Sequence, residues 1–188
     1  MKTRAVLPLL AAVAILSACS VSQGAVTASS DQIPSIQGVG ATTGHVTVDN
    51  ALVLFPPRLR YAAGSDAPLS LVLTNGARTD DRLVSAQSTV ARAVEIAPAV
   101  AGTTPPTLGC TRSPYRPAPV AEPLTRISSR IAQPLPNGGM VVMTPNCPHL
   151  VLVGLKRDLT VVDTVPLRLT LANARTVDLV LPVQTARG

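Results

Sequence analysis

From residue 45 onward, apolar and polar positions alternate in short runs. The clearest runs lie near the C-terminus. In VPLRLTLA, residues 165–172, Val165, Leu167, Leu169 and Leu171 share one face, because successive side chains of a strand point to opposite sides. TVDLVLPV, residues 176–183, does the same with Val177, Leu179, Leu181 and Val183. The short Asn173-Ala174-Arg175 connection between them predicts an antiparallel hairpin. GMVVMT (139–144) and HLVLVGL (149–155) predict two more strands. HVTVDNALVLF (45–55), LSLVLTN (69–75), RLVSAQS (82–88) and RAVEIA (92–97) predict four earlier ones, rich in β-branched and apolar residues. The first of these four stops at Pro56-Pro57, and the second at Asn75-Gly76, a turn dipeptide. No segment keeps a helical period over a useful length, and no internal repeat is visible. Seven or eight short strands separated by turn signals predict an all-β sandwich.

Two stretches break the pattern. Residues 98–136 carry nine prolines and Cys110, and predict one long Pro-rich loop with a short strand near Ile127 to Ile131. Residues 20–41 are rich in Ser, Gly, Ala and Gln, hold no hydrophobic period, and predict a flexible tether. Ahead of the tether, Lys2 and Arg4 precede an apolar run from Ala5 to Leu16. That is the layout of a secretory signal, and it is shorter than the roughly 20 residues a membrane-spanning helix needs. The run ends in Leu16-Ser17-Ala18-Cys19, which resembles a bacterial lipobox. In such signals the cysteine becomes the first residue and carries lipid on its thiol and its new amino group. More than one acyl chain gives stable anchoring. The expected organisation is a signal over 1–18, a tether over 19–41 and a β-sandwich over 42–188. The expected address is the extracytoplasmic face of the cell membrane, with the bilayer as one partner through Cys19.

Composition sharpens this picture. Hydrophobic residues make up 46% of the chain but aromatic ones only 2%, so a core must be built from Val, Leu, Ile and Ala. The net charge is +6, and Lys2 and Arg4 leave with the signal. The remaining arginines, Arg58, Arg60, Arg78, Arg82, Arg92 and onward, are scattered. Nucleic-acid binders show a basic patch, often with stacking aromatics, so nucleic acid is set aside as a partner. Mild basicity suits a position near anionic lipid or cell-wall polymer. No Gly-x-Ser-x-Gly, His-Glu-x-x-His or Gly-rich phosphate loop occurs. The acids, such as Asp80-Asp81 and Asp158, fall at predicted strand ends and turns. The chain therefore reads as non-enzymatic, with an envelope protein or cell-wall component as its partner. With Cys19 lipidated, Cys110 and Cys147 remain, and outside the cytoplasm such a pair predicts a disulfide.

YAAGSDAPLSLVLTNGARTDDRLVSAQS, residues 61–88, resembles the first half of the periplasmic copper chaperones of the PCu(A)C type. Residues 135–183 resemble their second half more closely. There His149-Leu150-Val151-Leu152, Gly154-Leu155-Lys156 and Asp163-Thr164-Val165-Pro166-Leu167 keep order and spacing. Together with the lipobox, this domain is similar to the actinobacterial LpqE-type lipoproteins. The resemblance implies a cupredoxin-like β-sandwich. It also implies a Cu(I) site of two His and soft Met sulfurs, donors that suit a soft ion. At the matching positions this chain offers Ala97-Pro98 for the first His, no Met near Arg126 to Ile127, His149 for the second His, and Val151 for the last Met.

Two readings stay open. In the first, the fold persists without the family's metal and no cofactor is bound. In the second, Cu(I) is held by a rebuilt set: Cys147, His149, Met140 and Met143. Met140 and Met143 are three apart on one predicted strand and so point to opposite faces. His45, at the start of the first strand, is expected to lie exposed.

Overall fold

The computed structural model describes residues 33–35, 38–54, 59–105, 109–113 and 127–184. Cys19 and the signal lie outside the described residues. Fourteen strands form among them: β1 (Ile33–Ser35), β2 (Gly38–Thr43), β3 (Val46–Leu54), β4 (Arg60–Tyr61), β5 (Ala67–Asn75), β6 (Asp81–Gln87) and β7 (Ala91–Ala97), then β8 (Thr111–Arg112), β9 (Gln133–Leu135), β10 (Met140–Met143), β11 (His149–Leu155), β12 (Leu159–Thr160), β13 (Thr164–Leu171) and β14 (Arg175–Gln184). All eight strands expected from alternation are present, as β3, β5, β6, β7, β10, β11, β13 and β14.

Hydrogen bonding runs in the order β7-β11-β5-β3-β14-β13-β6-β9, so the sheet curls round on itself and encloses the core. β3 and β14 meet in a short parallel pairing, Val183 beside Val53. The hairpin of β13 and β14 pairs in register from Thr164 with Pro182 to Leu171 with Arg175. Its inward residues, Val165, Leu167, Leu169, Leu171, Val177, Leu179, Leu181 and Val183, are buried as the alternation requires. β11 is different. His149, Leu150, Val151 and Leu152 are all buried in succession, since the strand is covered on both faces. The core is aliphatic throughout, with Leu52, Leu69, Leu71, Leu73, Leu83, Leu135 and Leu152 almost fully enclosed.

Three expectations need correction. A tether reaching residue 41 is too long, because β1 and β2 lie within that span, and Val39 and Ala41 are buried in the core. The glycines of GVGA hide the strand from a reading by period, yet one of them is required. A Cβ on Gly38 would sit 2.6 Å from the Asn50 backbone carbon, so β2 can close on β3 at that point only without a side chain. The long loop is also more structured than expected. β8 and β9 lie inside it, pairing with β10 and β6, while the strand expected near Ile127 to Ile131 is reduced to a single bridge between Ser128 and Ile96. Finally, His45 is not simply exposed. Its Nε2 lies 3.7 Å from a carboxylate oxygen of Asp81, whose side chain is fully enclosed.

Candidate functional site

β5, β7 and β11 lie side by side, with Val151 opposite Pro68 and His149 opposite Ala97. This pairing and the Ser128 bridge to β7 bring distant parts of the chain to one place. A cleft of about 640 Å³ opens there, lined by Asp66, Pro68, Ala97–Ala101, Ile127, Pro145, His149 and Val151. Ala97, Ile127, His149 and Val151, three of them singled out in the sequence only as positions without a donor, therefore surround a single hollow. Its wall is almost entirely aliphatic and prolyl. The one imidazole in it is His149, only 3% exposed.

The His149 ring is held in a defined state. Its Nδ1 lies 3.0 Å from the Cys147 carbonyl oxygen. A carbonyl only accepts, so in the neutral ring Nδ1 carries the proton and Nε2 keeps its lone pair. Burial lowers the His149 pKa from its usual range, partly opposed by that carbonyl contact; the neutral ring is favoured because desolvation penalises charge.

The cleft wall is tied down by the Cys110–Cys147 disulfide, whose Cα atoms are 5.7 Å apart. The Cys110 carbonyl accepts a backbone hydrogen bond from Val142 at 2.8 Å, so the start of β8 is stitched to β10. Cys147 N donates to the Thr144 carbonyl at 2.7 Å, and Val100 N donates to the Pro145 carbonyl at 2.7 Å. The disulfide thus fixes the turn that bears Pro145 and His149, and this turn fixes the 97–101 segment opposite.

The overall geometry has clear counterparts. The copper-bound PCuAC domain from PmoF2 superposes with a TM-score of 0.55 at 18% identity, covering 78% of this chain and 97% of that one. The apo PCuAC domain from PmoF1 gives 0.57 at 15%, covering 78% and 98%. Apo-DR1885 from Deinococcus radiodurans gives 0.50 at 21%, covering 97% of each. The fold is that of the PCuAC domains, a cupredoxin-like β-sandwich. A family model described as an LpqE-like lipoprotein matches residues 121–183. No curated protein matches the sequence.

Within this PCuAC-like frame the residues of the second reading are not assembled. The Cys147 sulfur is bonded to Cys110. Met143 is fully buried in the core, whereas Met140 lines a different cleft with Gly40, Thr42, Thr47, Asp49 and Val72. The two methionines face opposite sides of β10, as their spacing requires, and neither lines the cleft of His149. Among the described residues no group of three or more His, Cys, Asp or Glu side chains is placed to hold a metal ion. Nothing in the sequence marks Pro68 or Pro145 as cleft residues, because only the pairing of β11 with β5 and the β10–β11 turn bring them in.

Proposed function

We propose that the protein is a lipid-anchored, extracytoplasmic, non-enzymatic lipoprotein whose PCuAC-like sandwich binds through an apolar cleft at the positions where copper chaperones are expected to hold metal. The observation that carries this reading is the lining of one cleft by Ala97, Ile127, His149 and Val151. These positions match the expected ligands of the copper chaperones, and they supply one imidazole between them. A soft cation needs several soft donors converging on one point, and the fold alone does not replace them. What the cleft offers instead is aliphatic contact and the acceptor His149 Nε2, beside the Asp66 carboxylate, which accepts from Gly154 N at 2.8 Å. That combination suits an uncharged apolar group with one donor, presented by an envelope protein or a cell-wall component. The lipobox at Cys19 would hold the domain at the membrane where such groups occur.

Anaerobic titration of the mature protein with Cu(I) against a strong chelator tests this reading in both redox states. The oxidised form is expected to leave the metal with the chelator. Uptake of one equivalent by the oxidised form, abolished by His149→Ala, would overturn it. Uptake only after reduction, dependent on Cys147 as well as His149, would instead establish a copper lipoprotein gated by its own disulfide.

A further inference from the structure

A small ribbon follows β11 and is packed on the sandwich through Leu159, which is buried in the core. It consists of β4 and β12, with Arg60 opposite Thr160 and Tyr61 opposite Leu159. Its tip is a β-turn over residues 160–163, closed by Asp163 N donating to Thr160 O at 3.1 Å. The two corner residues are Val161 and Val162. Turn corners favour Gly, Pro, Asn, Asp and Ser, and two β-branched apolar residues there need another explanation. Val161 is 42% exposed and Val162 is 87% exposed.

The turn is held rigidly in this state. The Asp163 carboxylate accepts from Thr160 N at 2.8 Å and from Thr160 Oγ1 at 2.7 Å. Arg157 donates to the same carboxylate at 2.6 Å. These bonds, the one from Arg157 foremost, hold the Asp163 pKa down at about 2, so the brace is charged at any physiological pH. The opposite side of the ribbon repeats the anomaly. Leu59, one residue before β4, is 65% exposed and has a φ of 61°. A bulky residue in the left-handed region is a genuine outlier, and such strain clusters at functional sites. Leu59 and Val161 are the residues that adjoin the Arg60–Thr160 pair at the same end of the ribbon. Three exposed aliphatic residues therefore share one tip. Beside them the charges are paired: Arg157 holds Asp163, while Lys156 Nζ donates to the Thr89 carbonyl at 3.1 Å. Arg60 pairs with Asp158 at 3.2 Å, with both side chains well exposed.

We propose that this tip, Leu59 with Val161 and Val162, is a second membrane contact that inserts shallowly into an anionic bilayer and orients the domain. Three residues form too small a patch for a stable protein interface, which takes about 800 Å² from each partner. A rigid apolar turn matches the lipid interface, where aliphatic groups enter, and the positive net charge of the chain suits anionic head groups. The proposal rests on the proposed anchoring only for proximity to the bilayer, and the two are read separately.

The chain contains no Trp, so Val162→Trp places a single reporter at the tip. The mature lipoprotein is reconstituted into vesicles of phosphatidylcholine and phosphatidylglycerol, some with brominated acyl chains. Flotation of the vesicles reports the lipid anchor, while tryptophan emission reports the tip. Blue-shifted emission quenched by the brominated lipid is expected, and Val84→Trp on β6 should stay water-exposed and unquenched. Adding Leu59→Asp and Val161→Asp to the tip reporter should return its emission to the aqueous position. Protein that floats while the tip reporter emits as in water overturns the proposal without touching the anchor. A blue shift in the lipid-free Cys19→Ala protein, growing with its concentration, would show self-association and overturn it as well.

Discussion

His149 and Cys147 are joined through a ring nitrogen and a backbone carbonyl 3.0 Å apart. The carbonyl belongs to a residue that is itself locked to Cys110. One disulfide therefore fixes the orientation and the proton position of the only imidazole in the cleft.

The first prediction concerns pH. Burial lowers the His149 pKa below its usual value near 6.5. The unfolded chain then takes up a proton at higher pH than the native one does. The contribution of this group to stability is complete above the unfolded value and declines as pH falls through it, levelling off below the lowered native value. Denaturant unfolding from pH 8 to pH 5 should show this decline in the native protein and lose that part of it in His149→Leu. Nitrogen-resolved NMR should find Nδ1 protonated and Nε2 bare at pH 7. A proton on Nε2 would contradict the carbonyl contact.

The second concerns the bridge. Cys110 and Cys147 are 37 residues apart, and closing a loop of that length stabilises by about 4 kcal/mol in the chain-entropy model. Cys110→Ser with Cys147→Ser should lower stability by an amount up to that size, because among the described strands β8 pairs only with β10. Peptide mapping of native envelope protein without reductant should recover the linked pair. Free thiols at both positions would contradict the assignment.

The third concerns the core beneath the cleft. Leu152 on β11 is fully enclosed, and replacing it with Ala should cost about 2–5 kcal/mol, the range for a buried leucine. Gly139 should be nearly as sensitive. A Cβ there would overlap the Arg112 carbonyl oxygen and lie 2.6 Å from a Pro136 ring carbon, so Gly139→Ala must push β8 off β10. Thermal unfolding of the two variants checks both; a midpoint unchanged in Gly139→Ala would mean that β8 yields freely.

The fourth concerns Cys19. Intact mass of protein from membranes should show a chain beginning at Cys19 with acyl mass added. A Cys19→Ala variant that stays as firmly in the membrane fraction would refute lipidation.

The sandwich is legible in the sequence wherever alternation is strict. In β13 and β14 each inward residue can be named in advance, because one face is buried and the other is wet. β2 escapes such a reading because Gly38 and Gly40 interrupt the apolar pattern, although close packing against Asn50 demands a glycine. The pairing of Cys110 with Cys147 follows from counting. The cleft does not, because Ala97, Ile127 and Val151 carry no chemistry of their own. Only their match to a chaperone's ligand positions singles them out, and only the pairing of β7, β11 and β5 shows that they converge. The Val161-Val162 turn is silent for the opposite reason: apolar residues between two strands look like strand continuation until their exposure is seen.

Ala97, Ile127, His149 and Val151 line one cleft, and only His149 among them offers a donor. Restoring the donors tests this central claim most directly. The triple variant Ala97→His, Ile127→Met, Val151→Met should take one equivalent of Cu(I) from a strong chelator in its oxidised form, while the native protein takes none. His149→Ala in the triple variant should abolish that uptake. A triple variant that folds with the native midpoint yet binds no Cu(I) would contradict the convergence of these positions. Native protein that binds as tightly as the triple variant would contradict the claim that these four positions offer only one donor.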